Sequence, residues 1–246
     1  MSIRLAIVGI AGRMGTEVHL HAGEFGFQVT QGVTKDSKQF TSRDATSPII
    51  VENMTELKPN DVDLVIDFSL PDFTEKVLSW CVANKKTLVS GTTGLSKTQI
   101  EKVRAAGKEI AVLWSPNMSL GIAVVGRMLE AFSNLNEFDF QIEELHHNRK
   151  IDRPSGTALF LQQKLEGVLS KSLVEPVSIR GGGIFGIHKV WAMSEEEVIT
   201  VEHTAMNRQV FAKGALKAAR WLVQQSPGFY SLDDMLFGRN NSKIDE

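Results

Sequence analysis

Apolar residues fall along this chain in two different rhythms, and the change between them comes near residue 117. Before it, short unbroken apolar runs recur at 4–8 (RLAIV), 27–33, 62–68 (VDLVIDF), 87–90 and 110–114. Runs of this kind read as strands buried on both faces. Helical patterns separate several of them, notably at 73–83 and 97–106. Strands alternating with helices predict a parallel sheet covered on both sides. After residue 117 the spacing predicts an amphipathic helix over 120–132, a strand over 138–145 and a second helix over 157–169. Residues 177–179, 190–193 and 198–203 read as strands of an antiparallel sheet, with 180–186 (RGGGIFG) as a flexible loop between two of them. A long helix over 211–224 and a short one over 232–237 follow, and the polar residues from Arg239 read as a frayed end.

The expected fold class is therefore α/β. A Rossmann-like, doubly wound parallel sheet is joined to a second, α+β domain with a mixed sheet. Residues 1–117 and 211–246 are expected to form a dinucleotide-binding domain, and 118–210 a substrate-binding domain.

Chemistry enters at the strand ends. The first strand runs into Gly9-Ile10-Ala11-Gly12-Arg13-Met14-Gly15 and then a helix. Glycines at this spacing allow a tight turn, close approach of a pyrophosphate and close packing of helix on strand. Arg13 places a fixed cation inside the loop. Asp67-Phe68-Ser69 ends the third strand, Gly91-Thr92-Thr93-Gly94 follows the fourth, and Ser115-Pro116-Asn117-Met118 follows the fifth. Each alone reads as an ordinary turn. Together they put small and polar residues at four strand ends, where a doubly wound sheet binds its ligand.

A second constellation lies in EELHHNRKIDRPSGTA, residues 143–158. His146, His147, Arg149 and Lys150 crowd into one loop, and Pro154-Ser155-Gly156-Thr157 reads as a helix start. On its own a histidine pair is an ordinary solvated turn. A helix N-terminus beside it offers unpaired N–H groups and a partial positive charge, which suit a carboxylate. Proton donors next to an anion site are what a reductase of an acidic substrate needs.

Composition narrows the class. A 42% hydrophobic, 23% charged chain of net charge −2 offers nothing to nucleic acid or an anionic membrane. The single cysteine, Cys81, forms no internal disulfide and sits in an apolar run, as a buried small side chain would. No signal peptide is read at the start, and no apolar stretch approaches the roughly 20 residues of a membrane span. A cytoplasmic location is expected, with no metal.

These motifs carry a family resemblance. GRMG, DFS, GTTG, SPNMSLG, ELHHNRKIDRPSGTA and HTAMNRQVFAKGA, spread over nearly the whole chain, resemble the 4-hydroxy-tetrahydrodipicolinate reductase (dihydrodipicolinate reductase) family. The resemblance implies hydride transfer from NADH or NADPH to a cyclic imine dicarboxylate. The product is tetrahydrodipicolinate, in lysine and diaminopimelate biosynthesis. It implies His146 and Lys150 as the catalytic pair, and it leaves open which of them delivers the proton. It implies His147, Gly156 and Thr157 as substrate ligands. It implies Gly9, Ile10, Ala11, Gly12, Arg13, Met14, Gly91, Thr92, Thr93, Ser115, Pro116, Asn117 and Met118 as cofactor ligands, and a homotetramer assembled through the second domain.

The usual fingerprint has a carboxylate at the end of the second strand, which binds the ribose 2′-OH and repels a 2′-phosphate. Here that strand runs into Thr34 and Lys35, with Asp36 next. A hydroxyl and an ammonium at Thr34 and Lys35 predict that NADPH is accepted at least as well as NADH. Two other readings stay open at this point. One is another nicotinamide enzyme of the same architecture, such as a homoserine or semialdehyde dehydrogenase. The other is a nucleotide-sensing protein without activity.

Overall fold

Leu5, Ala6, Ile7 and Val8 are all buried, which leaves β1 (Ile3–Val8) only one place, the middle of a sheet. The computed structural model describes residues 2–40 and 47–239. After β1 come α1 (Arg13–His21), β2 (Phe27–Val33), β3 (Ile49–Val51), β4 (Leu64–Asp67), α2 (Pro71–Ala83), β5 (Thr87–Ser90), α3 (Lys97–Ala106) and β6 (Ala111–Trp114). Then follow α4 (Leu120–Met128), β7 (Asp139–His146), α5 (Gly156–Leu169), β8 (Val177–Arg180), β9 (Gly186–Met193) and β10 (Val198–Ala205). The chain ends with α6 (Gln209–Leu222), β11 (Gly228–Tyr230) and α7 (Leu232–Phe237). It divides into two units, Met1–Met118 with Phe211–Glu246, and Ser119–Val210.

The first unit holds a seven-stranded sheet in the order β11-β6-β5-β4-β1-β2-β3, and every pairing in it is parallel. Strand order reverses between β1 and β4, so the loops leaving them splay apart and open a crevice. Val77, Leu78 and Cys81 of α2 and Val103 and Ala106 of α3 pack with Val8, Val65, Leu88 and Val112 of the strands. Strands β3 and β11 are not legible in the sequence pattern. At three residues each, they are too short to show a period.

The second unit holds a four-stranded sheet in the order β10-β9-β7-β8. Phe140 and Ile142 of β7, Val190 and Ala192 of β9, and Ala158, Leu161 and Leu165 of α5 make its core with Ile122 and Val125 of α4. Strands β7, β9 and β10 are antiparallel neighbours, but β8 runs parallel to β7. The mixed sheet expected for this domain is present, and the strand read over 177–179 as antiparallel is its parallel member. The reason is α5, a 14-residue crossover that carries the chain back to the starting end of β7. The helix expected over 120–132 is α-helical only to Met128 and tightens to a 3-10 turn over Leu129–Phe132. Arg180, read as the start of a flexible loop, is the last residue of β8. The polar residues from 240 onward, read as frayed, lie outside the described residues.

Candidate active site

In the first unit the glycine loop leaves β1 at Gly9, whose φ of +79° a side chain would strain. A Cβ on Gly9 would lie 2.6 Å from the Phe68 carbonyl oxygen, and one on Gly15 would lie 2.1 Å from the Gly9 oxygen. The loop is drawn as tight as a backbone allows. Gly12 precedes α1 and puts no side-chain cap on it, and no acidic residue stands in the first turn. The first N–H groups of α1, from Arg13 and Met14, are therefore suited to an anion. Arg13 is exposed, and Ile10 is buried against Gly32. Only the Ile10 backbone is available to a ligand, and the same holds for Met118, also buried.

The neighbouring loops are held by one carboxylate. Asp67, fully buried at the end of β4, accepts hydrogen bonds through Oδ2 from the hydroxyls of Ser90 (2.9 Å), Thr92 (2.9 Å) and Thr74 (3.1 Å). Its Oδ1 accepts from the Ser69 N–H at 3.0 Å. A Cβ on Gly91 would strike the Phe68 ring at 2.2 Å, so the GTTG loop begins in close contact with that ring. Ser115 N–H donates to Ser90 O (3.1 Å), and the Ser115 hydroxyl donates to Asn117 O (2.7 Å). Thr93 and Pro116 are exposed beside them. At the end of β2, Thr34 N–H donates to Val51 O, Lys35 is exposed, and Asp36 caps a 3-10 turn by accepting from Lys38 N–H. The structure thus gathers the predicted nucleotide residues at the carboxyl ends of β1, β2, β4, β5 and β6.

In the second unit the inward face of β7 runs Phe140, Ile142, Glu144, His146. The first two join the apolar core; the last two are buried polar groups at the end of the strand. Glu144 is fully buried. It accepts from Arg180 Nη1 (2.9 Å) and Nη2 (2.6 Å), from Ser155 N–H (3.2 Å) and from His146 Nδ1. Burial works to raise the Glu144 carboxyl, but the hydrogen bonds from Arg180 and His146 outweigh it and hold it at about 2. As an ionised acceptor it keeps a proton on His146 Nδ1. The lone pair of the neutral ring is then on Nε2. A Cβ on Gly186 would crowd that nitrogen at 3.1 Å, so glycine there leaves it room. Burial, with the Lys150 and Arg180 cations, lowers the His146 imidazole against the pull of Glu144.

The loop after β7 folds back on the same group. Lys150 Nζ pairs with Asp152 at 2.9 Å, and Arg180 Nη2 donates to Asp152 O at 2.6 Å. His147 is half-buried, with an Nδ1 that meets no hydrogen-bond partner. Ser155 caps α5, its Oγ accepting from Ala158 N–H at 3.2 Å, so Gly156 and Thr157 open the helix. A Cβ on Gly156 would meet open space, so the chain's own packing does not require glycine there. His188, on β9, hydrogen-bonds to Ser155 Oγ through Nε2 (3.1 Å) and stands edge-on to His146.

Five residues that organise these sites, Asp67, Glu144, Ser155, Arg180 and His188, were not among the sequence-predicted ligands. One signal was present for Glu144. It falls on the apolar parity of β7, and a carboxylate there needs a buried cation. Cys81 is buried in α2, and burial pushes its thiol well above the ordinary range, so it is no nucleophile. Among the described residues no cluster of histidine, cysteine and carboxylate side chains could hold a metal ion, and no helix is long and apolar enough to cross a membrane.

Two family models match, dihydrodipicolinate reductase N-terminus over residues 3–118 and C-terminus over 121–236. The chain is 47% identical to the 4-hydroxy-tetrahydrodipicolinate reductase of Bdellovibrio bacteriovorus over 238 residues, 97% of this chain and 98% of that protein. It is 36% identical to that of Campylobacter lari, with 95% and 99% covered. A dipicolinate-bound dihydrodipicolinate reductase from Paenisporosarcina superimposes with a TM-score of 0.77 at 21% identity, covering 96% of this chain and all of that one. An aspartate semialdehyde dehydrogenase from Vibrio cholerae gives 0.59 at 11% identity, with 92% and 99% covered. The two superpositions show a shared fold.

The buried histidines set a pH dependence. Burial, aided by nearby His146, pushes the His188 imidazole from an ordinary 6.5 down to about 3, so the folded protein keeps it neutral. The unfolded chain takes up that proton first. Stability is therefore full above pH 6.5 and falls as the pH drops toward 3. Below pH 4.5 the loss steepens as Glu144, held at about 2, becomes protonated in the unfolded chain first. The urea midpoint is expected to fall between neutral pH and about pH 5, and His188→Asn to fall less over that interval. An equal fall in both proteins would show that His188 is not the group involved.

Proposed function

The chain belongs to the dihydrodipicolinate reductase family, and we propose that it reduces 4-hydroxy-tetrahydrodipicolinate to tetrahydrodipicolinate with a nicotinamide cofactor, in lysine and diaminopimelate biosynthesis. The observation that carries this reading is the cluster in the second unit. It joins an imidazole, an ammonium and a helix start around one buried carboxylate. The net change takes in one hydride and one proton and releases one water. When bound, the nicotinamide supplies the hydride. The tight glycine loop, the start of α1 and the Asp67-anchored GTTG loop would hold its nucleotide, with Ser115 to Met118 alongside.

The remaining chemistry belongs to this chain's own side chains. Hydride arrival leaves an electron pair on the conjugated substrate, and a proton must neutralise it. We assign Lys150 as the donor. Its Nζ pairs with the Asp152 carboxylate at 2.9 Å. His146, kept neutral by burial with its proton on Nδ1, offers Nε2 as an acceptor to a substrate N–H or O–H. The N–H groups of Gly156 and Thr157 at the start of α5 take one substrate carboxylate, and His147 helps to hold the other. A semialdehyde dehydrogenase would need an accessible cysteine nucleophile. This chain's one cysteine is buried and protonated.

We also read the outward face of the second sheet as the seam of a homotetramer. Val177, Ile179 and Val198 are exposed there beside half-buried Leu145, Ile187 and Trp191. A soluble monomer rarely leaves such a patch uncovered. Sedimentation at micromolar concentration should show four chains, and a monomer would overturn this reading.

Lys150→Ala should lower turnover by about 10²–10⁴-fold, as removal of a positioned acid does. His146→Ala should also cut it, with cofactor affinity unchanged. Gly156→Ala should raise KM for the imine and leave the urea midpoint in place, because the added carbon meets nothing within 4 Å beyond its chain neighbours and its own helix backbone. Retention of more than half the activity in Lys150→Ala or His146→Ala would remove that residue from the mechanism.

Cofactor choice rests on the end of β2. Asp36 is engaged in its own turn, and among the described residues the Thr34 hydroxyl and the Lys35 ammonium, with exposed Arg13 of the glycine loop, are the groups we assign to a 2′-substituent. The kcat/KM for NADPH should equal or exceed that for NADH. A tenfold preference for NADH, about 1.4 kcal/mol, would instead make Asp36 a ribose ligand.

A further inference from the structure

The three groups assigned to the chemistry lie on different stretches of chain: His146 at the end of β7, Lys150 in the following loop, and Gly156 and Thr157 at the start of α5. Something must set their spacing, since a loop by itself does not. Two side chains touch all three stretches. One Glu144 oxygen accepts from His146 Nδ1, and the other accepts from Ser155 N–H, the residue just before Gly156. Arg180 bonds both Glu144 oxygens and, through Nη2, the Asp152 carbonyl, whose side chain holds Lys150. Both are buried, Glu144 completely and the Arg180 side chain to 3% exposure.

We infer that Glu144 and Arg180 are positioning residues for this reaction: a single buried ion pair fixes the tautomer of His146 and holds it in register with Lys150 and the anion-binding start of α5. This inference deepens the reductase reading and rests on it for the roles of those groups. A buried ion pair of this kind adds little net stability compared with an apolar pair of the same shape. Its consequence here is geometric. Charge-assisted hydrogen bonds are short and directional, and an Arg–carboxylate fork leaves neither partner free to rotate. The ionised carboxylate also admits only a donor at His146 Nδ1, which excludes the tautomer with its proton on Nε2.

The two members act on His146 with opposite sign, which separates positioning from mere structural support. The charged and titratable groups facing His146 are Glu144 from its own strand, Arg180 from β8, His188 from β9 and Lys150 from the following loop. Glu144 favours the charged imidazole; Arg180 and Lys150 disfavour it. Loss of the carboxylate should therefore lower the imidazole's titration point, and loss of the guanidinium should raise it.

Nitrogen NMR of the side-chain imidazoles in the wild-type protein, with His146→Asn to assign the signal, reads the tautomer without reference to activity. The proton is expected on Nδ1. In Glu144→Gln the titration of His146 should move to lower pH, and in Arg180→Gln to higher pH. The acid limb of kcat should follow each shift in the same direction. Both variants should lose kcat and gain KM for the imine, while cofactor affinity is unchanged. A wild-type His146 protonated on Nε2, or limbs that move together or not at all, would falsify the inference. If Glu144→Gln does not fold, the wild-type tautomer and Arg180→Gln still decide it. Failure of the wild-type protein to oxidise NADPH with the imine would instead strike the reductase reading and leave the tautomer result standing.

Discussion

Glu144 is a carboxylate with no water to solvate it, and much of the second unit is arranged to make that tolerable. An unpaired buried charge is unaffordable to a fold, so the residue must collect donors from whatever packs around it. Here the donors come from three elements. Arg180 ends β8, Ser155 caps α5, and His146 lies two residues further along β7. The parallel placement of β8 is part of the same solution, because the register that pairs His146 with Arg180 puts the guanidinium against Glu144.

The first unit solves a related problem with a different donor set. Asp67 is as deeply buried as Glu144, but its partners are hydroxyls and one backbone N–H rather than a cation. Those donors belong to α2, to β5 and to the loops after β4 and β5. One short side chain therefore ties the DFS turn to GTTG. In each unit a buried carboxylate stands where a strand gives way to a loop of the candidate site, and the loop takes its shape from the acceptor's need for donors.

The difference in donor type matters for chemistry. Around Asp67 every donor is neutral, so the carboxylate shapes its loops without placing a cation beside them. Around Glu144 a full positive charge answers a full negative one, so the pair is nearly neutral to its surroundings. Burial can then decide the state of the nearby imidazoles. His146 and His188 are both pushed toward the neutral form, and a neutral imidazole with a fixed tautomer is a directional acceptor.

Much of this protein is written in local pattern. The apolar runs that became β2 and β5 match their strands residue for residue, as do α3 and α7, because burial on both faces and helical period leave a mark in the order of residues. The glycine loop and the PSGT helix start were equally legible, since backbone geometry restricts which residues can stand there. The short strands β3 and β11 left no such mark, being shaped by the neighbour they pair with. Nor did the direction of β8, which the α5 crossover determines. Arg180 read as the start of a loop, and Asp67 only as a polar residue at a strand end. The sequence alone determined the order of the longer elements and where the glycine-rich and charged loops fall between them. Only the tertiary structure decided which residues hold those loops still, because a buried charge chooses its partners by proximity in space, and that proximity is created by strand register rather than by spacing along the chain.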